Sequence, residues 1–153
     1  MTLLANALTR TRQKIAVAES CTGGWIAKTL TDVAGSSAWF EYGVVSYSNE
    51  AKSKLLKVRK TTLDTYGAVS EQVVREMADG VRILAHADFG IAVSGIAGPD
   101  GGSDEKPVGT VWCAWSTAAG TIAQMQRFNG DRNEVREKTV LWALRELNQS
   151  FDR

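Results

Sequence analysis

The sequence predicts a three-layer α/β/α sandwich built on a mixed, mostly parallel sheet. In the earlier part of the 153-residue chain, short apolar runs typical of strands alternate with segments of helical periodicity. Later, two strand-like runs flank Ala119 and Gly120, which predicts an antiparallel hairpin. The length and the 44% hydrophobic content suit one globular domain, so we expect residues 1–153 to form a single domain.

The elements are predicted from local signals in chain order. An amphipathic helix opens the chain, and residues 15–20 form a short apolar strand. Thr22 is expected to cap the next helix, which Gly35 closes. The later elements are a strand at 41–48, a short helix at 49–56 followed by a basic turn, a helix capped by Ser70, a strand at 89–97, a hairpin of 109–117 and 121–128, and a last helix from Asp131 with Glu134 completing a capping box.

Composition and charge exclude several classes of function. Lysine and arginine number 18 against 17 acidic residues, and this net charge of +1 gives no field that favours nucleic acid or a membrane surface. No apolar run approaches the ~18 residues of a membrane-spanning helix. Two cysteines without a secretion-signal pattern predict reduced thiols in the cytoplasm. One histidine excludes zinc sites that need two or three imidazoles, and we predict no metal.

Unusual residues lie at the ends of three of the predicted strands. The segments are ESCTGG from Glu19, SYSNEAK from Ser46 and SGIAGP from Ser94. In open α/β sheets, ligands bind beyond the carboxyl ends of the strands. We therefore expect the three segments to converge at one edge of the sheet and to form the functional site there.

The first segment is a junction of strand, turn and helix. Backbone N–H groups near Thr22, Gly23 and Gly24 would point toward Ser20, and such groups suit a phosphate or a developing oxyanion. A purely structural interpretation stays open, in which Ser20 and Thr22 cap the helix and the glycines allow close packing. Cys21 is the rival nucleophile, although a buried inert thiol is the expected state at this position.

Lys52 is the candidate base in the second segment. It lies in the first turn of its helix, where the helix dipole and partial burial lower the pKa of a lysine and favour the neutral amine. Serine–lysine pairs are a known variant of the serine-nucleophile arrangement. The alternative is that Lys52 belongs to a solvated face with Lys54 and Lys57. His86, at the end of a helix that enters a strand, is expected at the opposite edge of the sheet.

The third segment and the last helix supply candidate binding residues. Glycines in the third segment allow a ligand to approach the backbone closely, and the candidates there are Ser94, Gly95, Ala97 and Gly98. Arg132 and Arg136 lie one turn apart at the start of the last helix, where they would clamp a phosphate or remain in solvent.

Taken together, these segments resemble a known family, and the shared motifs are too long for coincidence. AESCTGGWIAKTLTDVAGSSAWFEYGVVSYSNEAK, YGAVSEQVV, VSGIAGPDGGSDEKPVGTVW and NGDRNEVR resemble the C-terminal domain of the CinA (competence/damage-inducible) family, and within it the stand-alone nicotinamide-nucleotide amidohydrolases. The resemblance runs from about Ile15 to Leu147, which is nearly the whole chain.

The resemblance implies hydrolysis of the carboxamide of nicotinamide mononucleotide, without a metal or organic cofactor. The family's serine nucleophile matches Ser20, its lysine base matches Lys52, and the tyrosine of the same motif matches Tyr47. Residues Ser94 to Pro99 would line the ribose and phosphate pocket, with Arg132 or Arg136 at the phosphate. Two alternatives stay open, a non-catalytic nucleotide-binding paralogue and a metal-dependent nucleotide pyrophosphatase. Apolar residues on the tryptophan-rich hairpin also predict a homodimer.

Overall fold

A single five-stranded mixed sheet forms the centre of the molecule. The computed structural model describes residues 1–151 of the chain. Strand β1 pairs in parallel with β2 on one side and β3 on the other, whereas β4 runs antiparallel to both β3 and β5. In chain order the strands are β1 (Ile15–Glu19), β2 (Phe40–Val45), β3 (Phe89–Gly95), β4 (Thr110–Thr117) and β5 (Gly120–Arg127).

Helices cover both faces of this sheet. They are α1 (Thr2–Thr11), α2 (Trp25–Thr31), α3 (Asn49–Leu56), α4 (Lys60–Tyr66), α5 (Glu71–Leu84) and α6 (Arg132–Ser150). Helices α1, α2 and α6 pack into one hydrophobic core, and α3, α4 and α5 pack into the other. The predicted α/β/α sandwich on a mixed sheet is therefore confirmed. None of the helices in residues 1–151 is long and apolar enough to cross a bilayer.

The two faces of the sheet carry side chains of different size. Branched residues such as Val17 and Ile91 face α1, α2 and α6, whereas alanines such as Ala18 and Ala92 face α5. The small side chains let α5 approach closely, and Gly80 of α5 also touches the end of α3. A Cβ atom added at Gly80 would lie 2.0 Å from the carbonyl oxygen of Leu56.

Several predicted boundaries differ from the structure. The prediction that Thr22 caps a helix is wrong, because α2 begins at Trp25 behind an N-cap Gly24 in a left-handed conformation (φ 102°). This helix ends at Thr31 rather than at Gly35. Where the sequence predicted only a basic turn, the structure has the additional helix α4. The side chain of its N-cap residue, Arg59, does not cap this helix.

The order of the strands places the functional segments side by side. The chain leaves β1 toward β2 on one side and returns to β3 on the other, so the gap between β1 and β3 is a topological switch point. Ser20 follows β1, and the loop from Ile96 follows β3. Strand β2 forms an edge of the sheet and pairs with β1 alone among the described strands.

Candidate active site

Ser20 and Lys52 meet beyond the carboxyl end of β1. Ser20 is 8% exposed and Lys52 is 1% exposed, although the two residues lie on different elements. Nζ of Lys52 is 3.0 Å from Oγ of Ser20. Nζ also donates to the carbonyl oxygen of Ser46 at 2.7 Å and to that of Tyr47 at 3.4 Å. The side chain of Ser48 caps α3 by accepting from the backbone N–H of Ala51, which sets the start of the helix that carries Lys52.

This environment makes the neutral amine of Lys52 more accessible than that of an exposed lysine. Burial lowers the pKa of Lys52 from 10.5 to about 8. A neutral amine has two N–H bonds and one lone pair, and the carbonyl groups of Ser46 and Tyr47 accept the two N–H bonds. The lone pair is then left for the hydroxyl of Ser20. The arrangement is that of a general base and its nucleophile.

The two rival residues lack such an arrangement. Burial raises the pKa of the Cys21 thiol to about 11, so the thiol stays protonated at neutral pH and is a weak nucleophile. His86 follows the end of α5 in a left-handed conformation (φ 50°) and precedes β3, whereas Ser20 follows β1. Because β1 and β3 are parallel, His86 lies at the opposite edge of the sheet.

A pocket of about 280 Å³ opens beside Ser20. Its lining combines the ends of β1 and β3 with Tyr47 and the start of α6, and consists of Ser20, Cys21, Tyr47, Gly95, Ile96, Ala97, Gly98, Asp100, Gly101 and Arg132. Nη1 of Arg132 donates to the carbonyl oxygen of Gly98 at 2.7 Å, and its Nη2 donates to the Tyr47 hydroxyl at 3.3 Å. Ser94 is buried in β3, one residue before this lining.

Arg136 and the glycine turn face a second depression. Its lining residues are Thr22, Gly23, Gly24, Trp25, Lys28 and Arg136. Nε of Arg136 donates to the carbonyl oxygen of Cys21 at 3.0 Å, and Nη2 donates to that of Thr22 at 3.1 Å. The guanidinium carbon lies 5.5 Å from the centroid of the Trp25 ring. The structure therefore separates the two arginines that the sequence analysis treated as equivalent.

One expected oxyanion donor in the turn is already engaged. The backbone N–H of Gly23 donates to the carbonyl oxygen of Ser20 at 3.1 Å, which closes the turn on itself. Thr22 is fully buried, and its hydroxyl donates to the carboxylate of Glu19. Of the three predicted N–H groups, those of Thr22 and Gly24 are left for a ligand.

The sequence analysis missed two acidic residues at the site. Glu19 is fully buried and accepts hydrogen bonds from the Thr22 hydroxyl (2.6 Å) and from the backbone N–H groups of Ile26 (2.8 Å) and Ala27 (3.0 Å). Its signal in the sequence is a carboxylate that ends an otherwise apolar strand, IAVAE. The second residue, Asp100, lines the same pocket as Arg132 and carries the opposite charge. Its position in the glycine-rich loop is the only sequence signal for its place at the site. Within residues 1–151, no three histidine, cysteine or acidic side chains group as metal ligands.

Comparison with known proteins identifies the family. The model of the CinA C-terminal domain matches residues 1–151. Nicotinamide-nucleotide amidohydrolase PncC of Escherichia coli K12 is 58% identical over 138 residues, which are 90% of this chain and 84% of that protein. The Pseudomonas putida protein of the same name is 49% identical over 148 residues, 97% of this chain and 92% of that protein.

Solved structures agree with this comparison. The competence damage-inducible protein A (ComA) of Klebsiella pneumoniae superposes with a TM-score of 0.96 at 43% identity, covering 99% of this chain and 94% of that one. The competence/damage inducible protein CihA of Agrobacterium tumefaciens gives 0.94 at 43% identity, covering 98% of this chain and 92% of that one. This protein belongs to the CinA C-terminal domain family.

Proposed function

We propose that this protein hydrolyses the carboxamide of nicotinamide mononucleotide, giving nicotinate mononucleotide and ammonia. Its relatives from Escherichia coli and Pseudomonas putida are named nicotinamide-nucleotide amidohydrolases, and the chain covers most of each. The observation that carries the proposal is the buried 3.0 Å contact between Nζ of Lys52 and Oγ of Ser20. An amide needs an activated nucleophile, and this pair supplies one without a metal.

In the first half-reaction, neutral Lys52 takes the proton of Ser20 while Oγ attacks the carboxamide carbon. Backbone N–H groups of the turn hold the oxyanion of the tetrahedral intermediate, and one such donor is worth about 3 kcal/mol. When the C–N bond breaks, protonated Lys52 delivers its proton to the departing ammonia. The alternative donor of this one proton is the hydroxyl of Tyr47, which lines the same pocket and is then reprotonated by Lys52.

In the second half-reaction, Lys52 deprotonates a water molecule that attacks the acyl-enzyme ester. Oγ of Ser20 leaves, recovers its proton from Lys52 and is ready for the next substrate. The positive pyridinium ring of the substrate withdraws electrons from the carbonyl carbon and so assists both attacks.

The charges of the pocket match those of this substrate. Nicotinamide mononucleotide carries a cationic ring and an anionic phosphate, and the pocket contains Asp100 and Arg132. Arg132 is the proposed phosphate ligand, because its guanidinium donates to a carbonyl and a phenol, and no carboxylate within residues 1–151 pairs with it. The backbone of Gly95, Ala97 and Gly98, with Ser94 behind it, forms the wall for the ribose.

The proposed function also covers partners and location. The protein takes a small-molecule nucleotide, needs no metal or organic cofactor, and works in the cytoplasm as a single domain. It does not bind nucleic acid or a membrane. It forms a homodimer through the hairpin of β4 and β5, where Ile122 is 64% exposed and Met125 is 49% exposed.

The test is ammonia release from nicotinamide mononucleotide in the presence of EDTA. We expect the wild type and Cys21→Ala to release ammonia, and Ser20→Ala and Lys52→Ala to lose about 10³-fold or more of kcat. Circular dichroism of each variant serves as the folding control.

Other outcomes would favour the alternatives. A folded wild type that binds nicotinamide mononucleotide with a rise in Tm but releases no ammonia would be a nucleotide-binding paralogue. Turnover that EDTA abolishes would indicate metal-dependent hydrolysis. Loss of activity in Cys21→Ala alone would make Cys21 the nucleophile.

A further inference from the structure

We propose that Glu19 and Arg136 hold the turn of residues 20–24 from two sides and are positioning residues for Ser20. We call this pair the turn clamp. The inference rests on the proposed function, because it assigns a role in the same hydrolysis. It also assigns different roles to the two arginines: Arg132 contacts the nucleotide, and Arg136 positions the turn that carries the nucleophile.

Glu19 forms the inner half of the turn clamp. Its carboxylate is fully buried and accepts from the N–H groups of Ile26 and Ala27, which belong to the first turn of α2. The N-cap residue of that helix, Gly24, has no side chain to do this. An anion at the N-terminus of a helix is favourable, and its hydrogen bonds are charge-assisted. The carboxylate thereby ties the start of α2 to the end of β1, and the turn that contains Ser20 lies between them.

The backbone of Glu19 also reaches the base. Its carbonyl oxygen accepts from the N–H of Ser46 at 2.8 Å. The carbonyl oxygen of Ser46 in turn accepts from Nζ of Lys52 at 2.7 Å. Glu19 therefore connects to the far end of the nucleophile turn through its side chain and to the base through its main chain.

Arg136 forms the outer half of the turn clamp. Its guanidinium binds the carbonyl oxygens of Cys21 and Thr22, and it lies over the ring of Trp25. In a trans peptide the carbonyl and the following N–H point in opposite directions. Because Arg136 holds both carbonyls, it also sets the direction of the N–H groups of Thr22 and Gly23. The Gly23 N–H points back to the Ser20 carbonyl, as this geometry requires.

The turn clamp therefore acts on the chemical step rather than on nucleotide binding. A loosened turn would displace Oγ of Ser20 and the neighbouring N–H donors from Lys52 and from the carboxamide. A misplacement of about 1 Å in such a site costs about 10²-fold in rate. The contacts of Arg132 with the Tyr47 hydroxyl and the Gly98 carbonyl would be unaffected, so the affinity for the phosphate would persist.

The experiment compares Arg136→Gln with Arg132→Gln on nicotinamide mononucleotide and on its riboside, which lacks the phosphate. We expect R136Q to lower kcat about 10²-fold on both substrates with little change in KM. We expect R132Q to raise KM for the mononucleotide more than for the riboside, because only the mononucleotide has the phosphate that Arg132 would bind. Arg145→Gln is the matched control, because Arg145 is an exposed arginine on the same helix.

A fluorophosphonate probe gives a second measurement that needs no nucleotide. Oγ of Ser20 displaces fluoride from phosphorus while Lys52 takes the proton, so the labelling rate reports the nucleophile alone. We expect R136Q and Glu19→Ala to label at least about tenfold more slowly than the wild type. We expect Arg145→Gln to label like the wild type. We expect Glu19→Gln, which keeps one acceptor oxygen, to recover part of the rate.

The outcomes separate this inference from the proposed function. Wild-type labelling and kcat in R136Q would overturn the turn clamp. So would a defect of R136Q that appears only as a raised KM for the mononucleotide, because Arg136 would then be a phosphate ligand. A wild type that labels but releases no ammonia would overturn the proposed function, and the labelling rates of R136Q and Glu19→Gln would still decide on the turn clamp.

Discussion

At the residue scale, the protonation of Lys52 governs the proposed reaction. Burial lowers the pKa of Lys52 to about 8, and the reaction needs the neutral amine. The base is therefore mostly protonated at neutral pH. The activity should rise with pH through the pKa of Lys52, and not fall as it would if the ammonium form were required.

We accordingly predict the pH profile of kcat/KM for ammonia release. Below the pKa of about 8 the value should increase about tenfold per pH unit, and above it the value should level off. Lys52→Arg is the control, because a guanidinium cannot be deprotonated in this range and should leave no activity at any pH. A flat profile between pH 6 and about 9 would show that Lys52 is not the base.

Sequence reasoning proposed Ser20, Lys52 and Tyr47, which lie together in the structure, but it could not separate Arg132 from Arg136. Both arginines lie on one helix, one turn apart, and their neighbours in the sequence do not show which of them meets the pocket. What distinguishes them is the loop that each one meets, Gly98 for the first and Cys21 with Thr22 for the second. These contacts join residues more than thirty positions apart, so no local signal contains them.

At the element scale, the origin of each helix cap decides which helices could be predicted. Helices α3, α5 and α6 begin with caps from their own N-cap residues, Ser48, Ser70 and Asp131, and all three were predicted close to their observed starts. Helices α2 and α4 begin at residues that supply no side-chain cap. Carboxylates from elsewhere, Glu19 and Glu76, cap them instead, so the start of α2 was misplaced and α4 was missed.

Glu76 provides a prediction at this scale. It accepts from the backbone N–H of Arg59 at 2.8 Å and from the hydroxyl of Thr62 at 2.8 Å, at the start of α4. We expect Glu76→Gln to lower the free energy of unfolding by about 1 kcal/mol, as the loss of a helix cap does. Urea denaturation at pH 7 measures this. Glu50→Gln, which breaks an exposed pair with Lys54 (2.7 Å), should change it by less than about 0.5 kcal/mol.

The effect of Glu76→Gln should depend on pH. Burial alone would raise the pKa of Glu76, but the hydrogen bonds from Arg59 and Thr62 outweigh it and lower that pKa. A carboxyl group with a lowered folded-state pKa stabilises the protein above its unfolded-state pKa and loses this contribution as the pH falls through the folded-state value. The difference between wild type and variant should therefore shrink below about pH 4. A difference that grows on acidification would contradict this role.

At the scale of the whole molecule, the strand order explains why the convergence of the candidate site residues could be predicted from the sequence. Segments that follow parallel strands must meet at one edge of the sheet, and the switch point between β1 and β3 selects the place. The packing of α5 could not be predicted in the same way. From the sequence alone, Gly80 is an unfavourable residue within a helix. A glycine is needed there because the carbonyl group of Leu56, at the end of α3, leaves no room for a side chain.

Gly80→Ala tests this packing. In an exposed helix this change stabilises by about 1 kcal/mol, but here the new Cβ would lie 2.0 Å from the Leu56 carbonyl oxygen. We expect a lower free energy of unfolding and, because Leu56 ends the helix that carries Lys52, a lower kcat as well. Ile83→Ala, at a position of α5 that is 62% exposed, is the control for both measurements. A stabilised Gly80→Ala with full activity would contradict the close packing of α3 on α5.

The edge position of β2 has a consequence for how the activity is lost. Lys52 receives its carbonyl partners from Ser46 and Tyr47, which directly follow this strand. A strand that is paired on one side and largely exposed opens locally at a lower free-energy cost than the central strands. Each such opening separates the proposed base from the proposed nucleophile, while the buried residues of both hydrophobic cores, none of which belongs to β2, stay packed. Inactivation on warming is then a reversible local event that precedes cooperative unfolding, and cooling restores the activity without refolding.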